Sequence, residues 1–322
     1  MSILVYIEKD EGKIKTSSLE AVSYAAVLGK KTGAPGVHAI VLGSLEDAEW
    51  DRLGTAGASS AYQVSDDRLN AGVIQAHAAV VAEVYRNVGA NTLLLAKSSL
   101  GDAVAARLAI KLDAGLVTNV VDYPDLTDGF VVKRSIFTGK AFVATRIDTE
   151  NKILAIKKNI QPVQTDGAPV SVEQMAVDLP EEVFAATITG TEKATGEVLL
   201  PEADIVVSGG RGLNGPENWG IIEDLAAALG AAKGCSKPVS DSGWRPHHEH
   251  VGQTGVKVAP TLYLAVAISG AIQHLAGVNA SRNIVVINKD PEAPFFKAAD
   301  YGMVGDAFEI VPKLTEAIKA LK

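Results

Sequence analysis

Short apolar runs alternate with amphipathic stretches through the first half of the chain. Residues 3–7 (Ile-Leu-Val-Tyr-Ile) form a continuous apolar run, the pattern of a strand buried on both faces. Residues 18–31 follow with helical spacing, and Ser17 or Ser18 is the expected cap. Further strands are predicted at 37–42, 61–64, 92–96 and 116–121, with helices at 45–53, 70–87 and 101–112 between them. This β-α repetition predicts a parallel, doubly wound sheet with right-handed crossovers. The pattern then changes. Apolar runs at 130–137, 140–147 and 153–156 are joined by short turns, so they are expected to be antiparallel and to extend the sheet edge.

Residues 180–201 are polar, carry no core pattern and read as a linker. Beyond them the α/β alternation restarts. Strands are predicted at 203–207, 238–240, 260–267 and 283–288, and helices at 217–229, 270–276 and 313–321, with an irregular loop over 242–255. The expected fold is α/β in two domains. Residues 1–190 form a nucleotide-binding-like domain, a parallel sheet with added antiparallel strands. Residues 191–322 form a doubly wound domain, with a hinge at about 185–200.

Composition narrows the function classes. The chain has 322 residues, enough for two cores, and is 47% hydrophobic but only 5% aromatic. That mix suits parallel strands under Ala-rich helices. A net charge of −8 argues against nucleic acid or an anionic membrane as partner. The lone Cys235 excludes an intrachain disulfide and reads as a small buried hydrophobe. There is no apolar run long enough to span a bilayer and no leader pattern, so a bacterial, cytoplasmic location is expected.

Candidate chemistry gathers in the second half. Ser208-Gly209-Gly210-Arg211-Gly212 lies between a strand and a helix, where glycines permit close backbone approach and Arg211 can pair with phosphate. Ser269-Gly270-Ala271 opens a helix, and small residues there admit an anionic ligand to backbone N–H groups. Asn288-Lys289-Asp290 ends an Ile-Val run, which places polar groups at the carboxyl end of a strand. Ser236 and Lys237 put a hydroxyl and a cation side by side, although locally a surface lysine is the simpler reading. Val251-Gly252-Gln253-Thr254-Gly255 has the form of a ligand clamp, or equally of a loop whose Gln and Thr bond their own backbone. His274 alone reads as a core or capping histidine. His247, His248, Glu249 and His250 are adjacent rather than helically spaced, so no metal site is expected. Hydrolase, Walker and Cys-x-x-Cys patterns do not occur.

Four motifs, in this order and spacing, resemble the electron transfer flavoprotein alpha-subunit family over the full length. They are Ser-Gly-Gly-Arg-Gly at 208–212, Val-Gly-Gln-Thr-Gly at 251–255, Ile-Ser-Gly-Ala-Ile-Gln-His-Leu-Ala-Gly at 268–277 and Ile-Asn-Lys-Asp-Pro-Glu-Ala-Pro at 287–294. The resemblance implies a heterodimer in which the N-terminal domain packs against a beta subunit and the mobile C-terminal domain binds FAD. AMP is then expected in the beta subunit. FAD-contacting positions carried over by motif are Arg211, Ser236, Lys237, Val251, Gly252, Gln253, Thr254, Ser269, Gly270, Ala271, Ile272, Gln273, His274, Asn288, Asp306 and Ala307. Of these, Asn288 and Asp306 serve the adenosine end, while Lys237, Thr254 and His274 surround the isoalloxazine and tune it. The family pattern has Arg where this chain has Lys237, which keeps the charge and loses planar stacking.

The implied role is that of an electron carrier rather than a substrate-converting enzyme. Single electrons would pass from flavoprotein dehydrogenases, of acyl-CoA or trimethylamine dehydrogenase type, to a membrane quinone oxidoreductase through a stabilised anionic semiquinone. Two rival readings are a bifurcating form with a second FAD in the beta subunit and a non-redox module that senses an adenine dinucleotide.

Overall fold

The computed structural model describes residues 2–139, 141–190, 200–201 and 203–321. Two compact units divide the chain, Met1–Thr191 and Glu192–Lys322. The part of the expected hinge over 191–199 lies outside the described residues.

Unit 1 runs β1 (Ile3–Ile7), β2 (Lys9–Asp10), β3 (Lys13–Ile14), α1 (Thr16–Thr32), β4 (Val37–Leu42), α2 (Asp47–Thr55), β5 (Ser60–Val64), α3 (Ile74–Asn87), β6 (Thr92–Ala96) and α4 (Ser99–Lys111). It continues with β7 (Ala114–Val120), β8 (Val131–Ile136), β9 (Ala141–Arg146), β10 (Asn151–Ile156) and β11 (Ser171–Gln174). One sheet of order β11-β5-β4-β1-β6-β10-β7-β8-β9 joins all but the small β2-β3 hairpin. β1 shows why its sequence is unbroken in hydrophobicity. Ile3, Val5 and Ile7 pack with Leu19, Val22 and Leu28 of α1, while Leu4 and Tyr6 pack with Val80 and Val84 of α3. Helices cover both faces, so every residue of the strand is buried.

Two expectations in this unit need correction, and one strand was not expected. β10 is not antiparallel at the edge. It pairs in parallel with both β6 and β7, as in Leu154↔Leu94 and Leu154↔Val117. Its apolar run belongs to an interior strand, and the β8-β9 arm alone forms the antiparallel edge. Neither predicted serine caps α1. Lys15 holds the cap position, and the buried Ser18 accepts from the backbone N–H of Glu8 at 2.9 Å. The unexpected strand is β11, whose four residues are all exposed and of which only Val172 is apolar, so it carries no apolar pattern by which to find it.

Unit 2 runs β12 (Ile205–Gly209), α5 (Gly220–Leu229), β13 (Ala232–Cys235), α6 (Lys237–Asp241), β14 (Leu262–Val266), α7 (Ile272–Val278), β15 (Asn283–Asn288), β16 (Tyr301–Val304) and α8 (Ala307–Ala320). Its sheet has the order β13-β12-β14-β15-β16 and is parallel throughout. Alternate strand residues again feed two cores. Val206, Tyr263, Ala265 and Val286 meet Val278 and Phe295 on one face. On the other, Val207, Leu264, Val266 and Ile287 meet Ile222, Leu225 and Val311.

The strand predicted at 238–240 is helical, because Pro238 sits in the first turn of α6, where its missing N–H has no cost. The strand instead lies at Ala232–Cys235, whose Ala-Lys-Gly-Cys sequence carries little β signal. Helix α8 begins six residues before the predicted 313. It tolerates Pro312 inside, and Asp306 caps it by accepting from Phe308 N–H at 2.8 Å.

Candidate functional site

The order of the second sheet locates a crevice. After β12 the chain crosses to α5, on the face holding Ile222 and Leu225. After the neighbouring β14 it crosses to α7, on the opposite face holding Val278. The two connections part at the carboxyl ends of adjacent strands. That is a topological switch point, where open α/β sheets bind ligands.

Backbone contact closes the base of this crevice. A Cβ on Gly210 would lie 2.1 Å from the Ala267 carbonyl oxygen, so glycine is required for the two loops to touch. Gly210 N–H donates to Val266 O at 2.9 Å. Ala267 holds the left-handed region at φ 54°, a strained state for a residue with a Cβ, and strain of this kind clusters at binding sites. Gly270 follows at φ 83°, and its would-be Cβ lies 2.5 Å from the Phe295 backbone nitrogen. Asn288 secures the turn, its Nδ2 donating to Ile268 O at 2.9 Å.

The residues singled out by sequence come together along this one sheet edge. Ser236 follows β13, and its N–H donates to Gly209 O at the end of β12. Arg211 is exposed just beyond β12. Ser269, Ala271, Ile272 and Gln273 are exposed beyond β14, and Gly270 is buried among them. Asn288 ends β15, and its carbonyl accepts from Gly305 N–H, which brings Asp306 and Ala307 beside it. The 251–254 loop is tied in at both ends. Val251 N–H donates to Cys235 O at 2.9 Å, and Gln253 N–H donates to Gln273 O at 2.8 Å. Gly252 is buried in that loop and Thr254 is exposed at its tip.

Lys237 is not a lone cation. Its Nζ pairs with Asp241 at 3.0 Å, one helical turn on, and both side chains are 56% exposed. Cys235 is buried, and that burial pushes its thiol up to about 12, which leaves it unreactive. Among the described residues no group of three or more His, Cys, Asp or Glu is arranged to hold a metal ion.

His274 and His77 are both buried, and their hydrogen bonding differs. In His274, Nε2 meets Tyr263 Oη at 2.8 Å, and the Phe295 ring stands edge-on 5.6 Å away. Its Nδ1 is buried without a partner. Burial, and then the neighbouring His250, lower the His274 pKa to about 4, so the ring is neutral. Buried His77 of unit 1 differs, since both its ring nitrogens are engaged, by Tyr6 and by Leu69 O. Unit 2 holds further orphaned buried atoms at Ser208 Oγ, Trp219 Nε1 and His250 Nδ1. Unfilled polar capacity of this kind suits a polar ligand. Sequence reasoning missed Tyr263 and His250. Tyr263 looks like any core strand residue, and His250 lies in a run of adjacent polar residues whose spacing points to no site.

Fold and crevice together define an α/β protein whose second unit is organised around a nucleotide-type site. Comparison with known proteins makes this specific. The electron transfer flavoprotein FAD-binding domain matches residues 199–279, and the electron transfer flavoprotein domain matches residues 3–180. An electron transfer flavoprotein subunit alpha from Mycobacterium leprae is 37% identical, covering 99% of this chain and 98% of the relative. Those from Mycobacterium tuberculosis H37Rv (39%, covering 99% of each chain) and Bacillus subtilis 168 (35%, covering 96% of each) agree over a similar span. The chain belongs to the electron transfer flavoprotein alpha-subunit family.

Proposed function

We propose that unit 2 holds FAD along the carboxyl edge of its sheet. Together with a beta subunit, the chain then carries single electrons from flavoprotein dehydrogenases to a membrane quinone oxidoreductase. The observation that carries this reading is that the FAD-binding match over 199–279 contains the strained switch point. Arg211 and the 269–272 turn are assigned to the phosphates and ribityl chain. Asn288, Asp306 and Ala307 are assigned to the adenosine end, and Lys237, Thr254 and His274 to the ring. The bound FAD supplies the one-electron chemistry, while these residues hold it and set its potential.

The test is purification of the chain with its beta subunit. A yellow preparation that releases FAD on denaturation and is reduced by a flavoprotein dehydrogenase is expected. Colourless protein that takes up no FAD would overturn the reading in favour of a non-redox module. More than one FAD per heterodimer would point to the bifurcating form.

Lys237 gives a graded prediction. Its exposure and its Asp241 partner place it in water-like surroundings. There a unit charge about 4 Å away is worth about 1 kcal/mol, or about 40 mV for one electron. Lys237→Ala therefore lowers the FAD potential by about that amount or less. Asp241→Asn, which releases the cation, raises it. Spectroelectrochemical titration reads both, and a potential unmoved in either variant contradicts the assignment.

A further inference from the structure

Two buried Tyr–His pairs among the described residues differ in one respect. In unit 1, His77 Nε2 faces the Leu69 carbonyl at 2.8 Å. A carbonyl can only accept, so the proton sits on Nε2, and Tyr6 donates to Nδ1 at 2.6 Å. At His274 no carbonyl makes that choice. The buried Tyr263 hydroxyl is the partner of Nε2, and Nδ1 has none among the described residues.

We propose that Tyr263 is the positioning residue that sets the tautomer of His274. Its phenol donates to Nε2, so the ring proton resides on Nδ1, which is left as a buried donor for a ligand. The pairing dictates this direction. A phenol, with a reference pKa of about 10, is a far better donor than a neutral imidazole N–H. In the reverse arrangement the buried phenol proton would need another acceptor. The Ser208 hydroxyl beside the phenol is a poorer acceptor than an imidazole nitrogen, so the phenol proton goes to Nε2. Tyr263 is fully buried, and packing against Phe295, with ring centroids 6.3 Å apart, holds its ring in place. Desolvation keeps both groups uncharged, the phenol raised and the imidazole lowered.

The consequence for the cofactor rests on the FAD reading above. An N–H at Nδ1 favours a ligand that gains negative charge on reduction, whereas a lone pair there opposes it. Tyr263 thus acts on the cofactor through His274 without touching it.

The tautomer is measured on the full chain without cofactor, labelled with 15N-histidine. Long-range 1H–15N spectra are recorded at neutral pH, and the His274 signals are identified by their loss in His274→Gln. The expected wild-type pattern is a protonated Nδ1 and an accepting Nε2, and Tyr263→Phe should move intensity to the Nε2–H form. An Nε2–H ring in the wild type overturns the proposal even if the Phe variant fails to fold, and so does a tautomer unchanged in a folded variant. In the heterodimer, Tyr263→Phe should lower the FAD potential at full FAD content, and an unchanged potential removes the link to the cofactor. Failure of both proteins to take up FAD would sink the flavin reading and leave the tautomer result standing.

Discussion

Gly270→Val abolishes FAD retention and destabilises unit 2 by about 3 kcal/mol, combining a left-handed backbone penalty of about 1–2 kcal/mol with overpacking of about 1–3 kcal/mol. Gly270 sits at φ 83°, and any Cβ there would lie 2.5–2.6 Å from the N, Cα and Cβ of Phe295. The neighbour cannot yield cheaply. The Phe295 backbone nitrogen donates to Ser269 O at 3.1 Å, and its ring is buried against Tyr263 and His274. Relief must come from movement of the 267–271 turn, which lines the crevice. The flavin-to-protein ratio of the purified heterodimer and its denaturant midpoint check both parts. A variant with wild-type flavin content and an unchanged midpoint would show that the turn is not confined in this way.

Acid destabilises unit 2 through His274. Its pKa falls from 6.5 in the unfolded chain to about 4 in the fold, mainly by desolvation. Above pH 6.5 the ring is neutral in both states, and the full stability is present. Between these two values the unfolded state binds the extra proton, so stability falls as pH falls, by up to about 1.4 kcal/mol per unit. The window accounts for about 3 kcal/mol, and below it the loss levels off. His77, His250 and His38 are also lowered by burial and act in the same sense. His274→Gln isolates the one site. Denaturant unfolding of the cofactor-free chain at pH 7 and pH 4.5, followed by Trp219 and Trp244 fluorescence in a Trp50→Phe background, should show a smaller acid loss in the variant. Equal losses with and without His274 would contradict the neutral buried ring.

Much of the candidate site's edge was legible because its motifs state backbone requirements. Gly210 and Gly270 stand where loops touch, and the polar residues Ser236, Asn288 and Asp306 follow strand ends. The partners of those residues were not legible. Lys237 reads as a free cation until α6 turns Asp241 back to it, and α6 itself was expected to be a strand. Asn288 reads as a ligand contact, yet one of its N–H groups braces Ile268. His274 reads equally as a core or a binding residue, and the sequence does not show that its Nε2 is taken by Tyr263 while Nδ1 has no partner among the described residues.

The sequence by itself determined the α/β class, the restart of the pattern in the second half and the motifs that mark the family. These are local properties. A strand buried on both faces must be apolar throughout, and a backbone contact must be glycine. Tertiary structure alone decided that β10 lies between β6 and β7 and that β13 flanks β12. It also decided that a strand tyrosine would meet a helix histidine across the core of unit 2. Such pairings join separate elements of the chain, and their geometry follows from packing and crossover direction, which no local pattern of residues encodes.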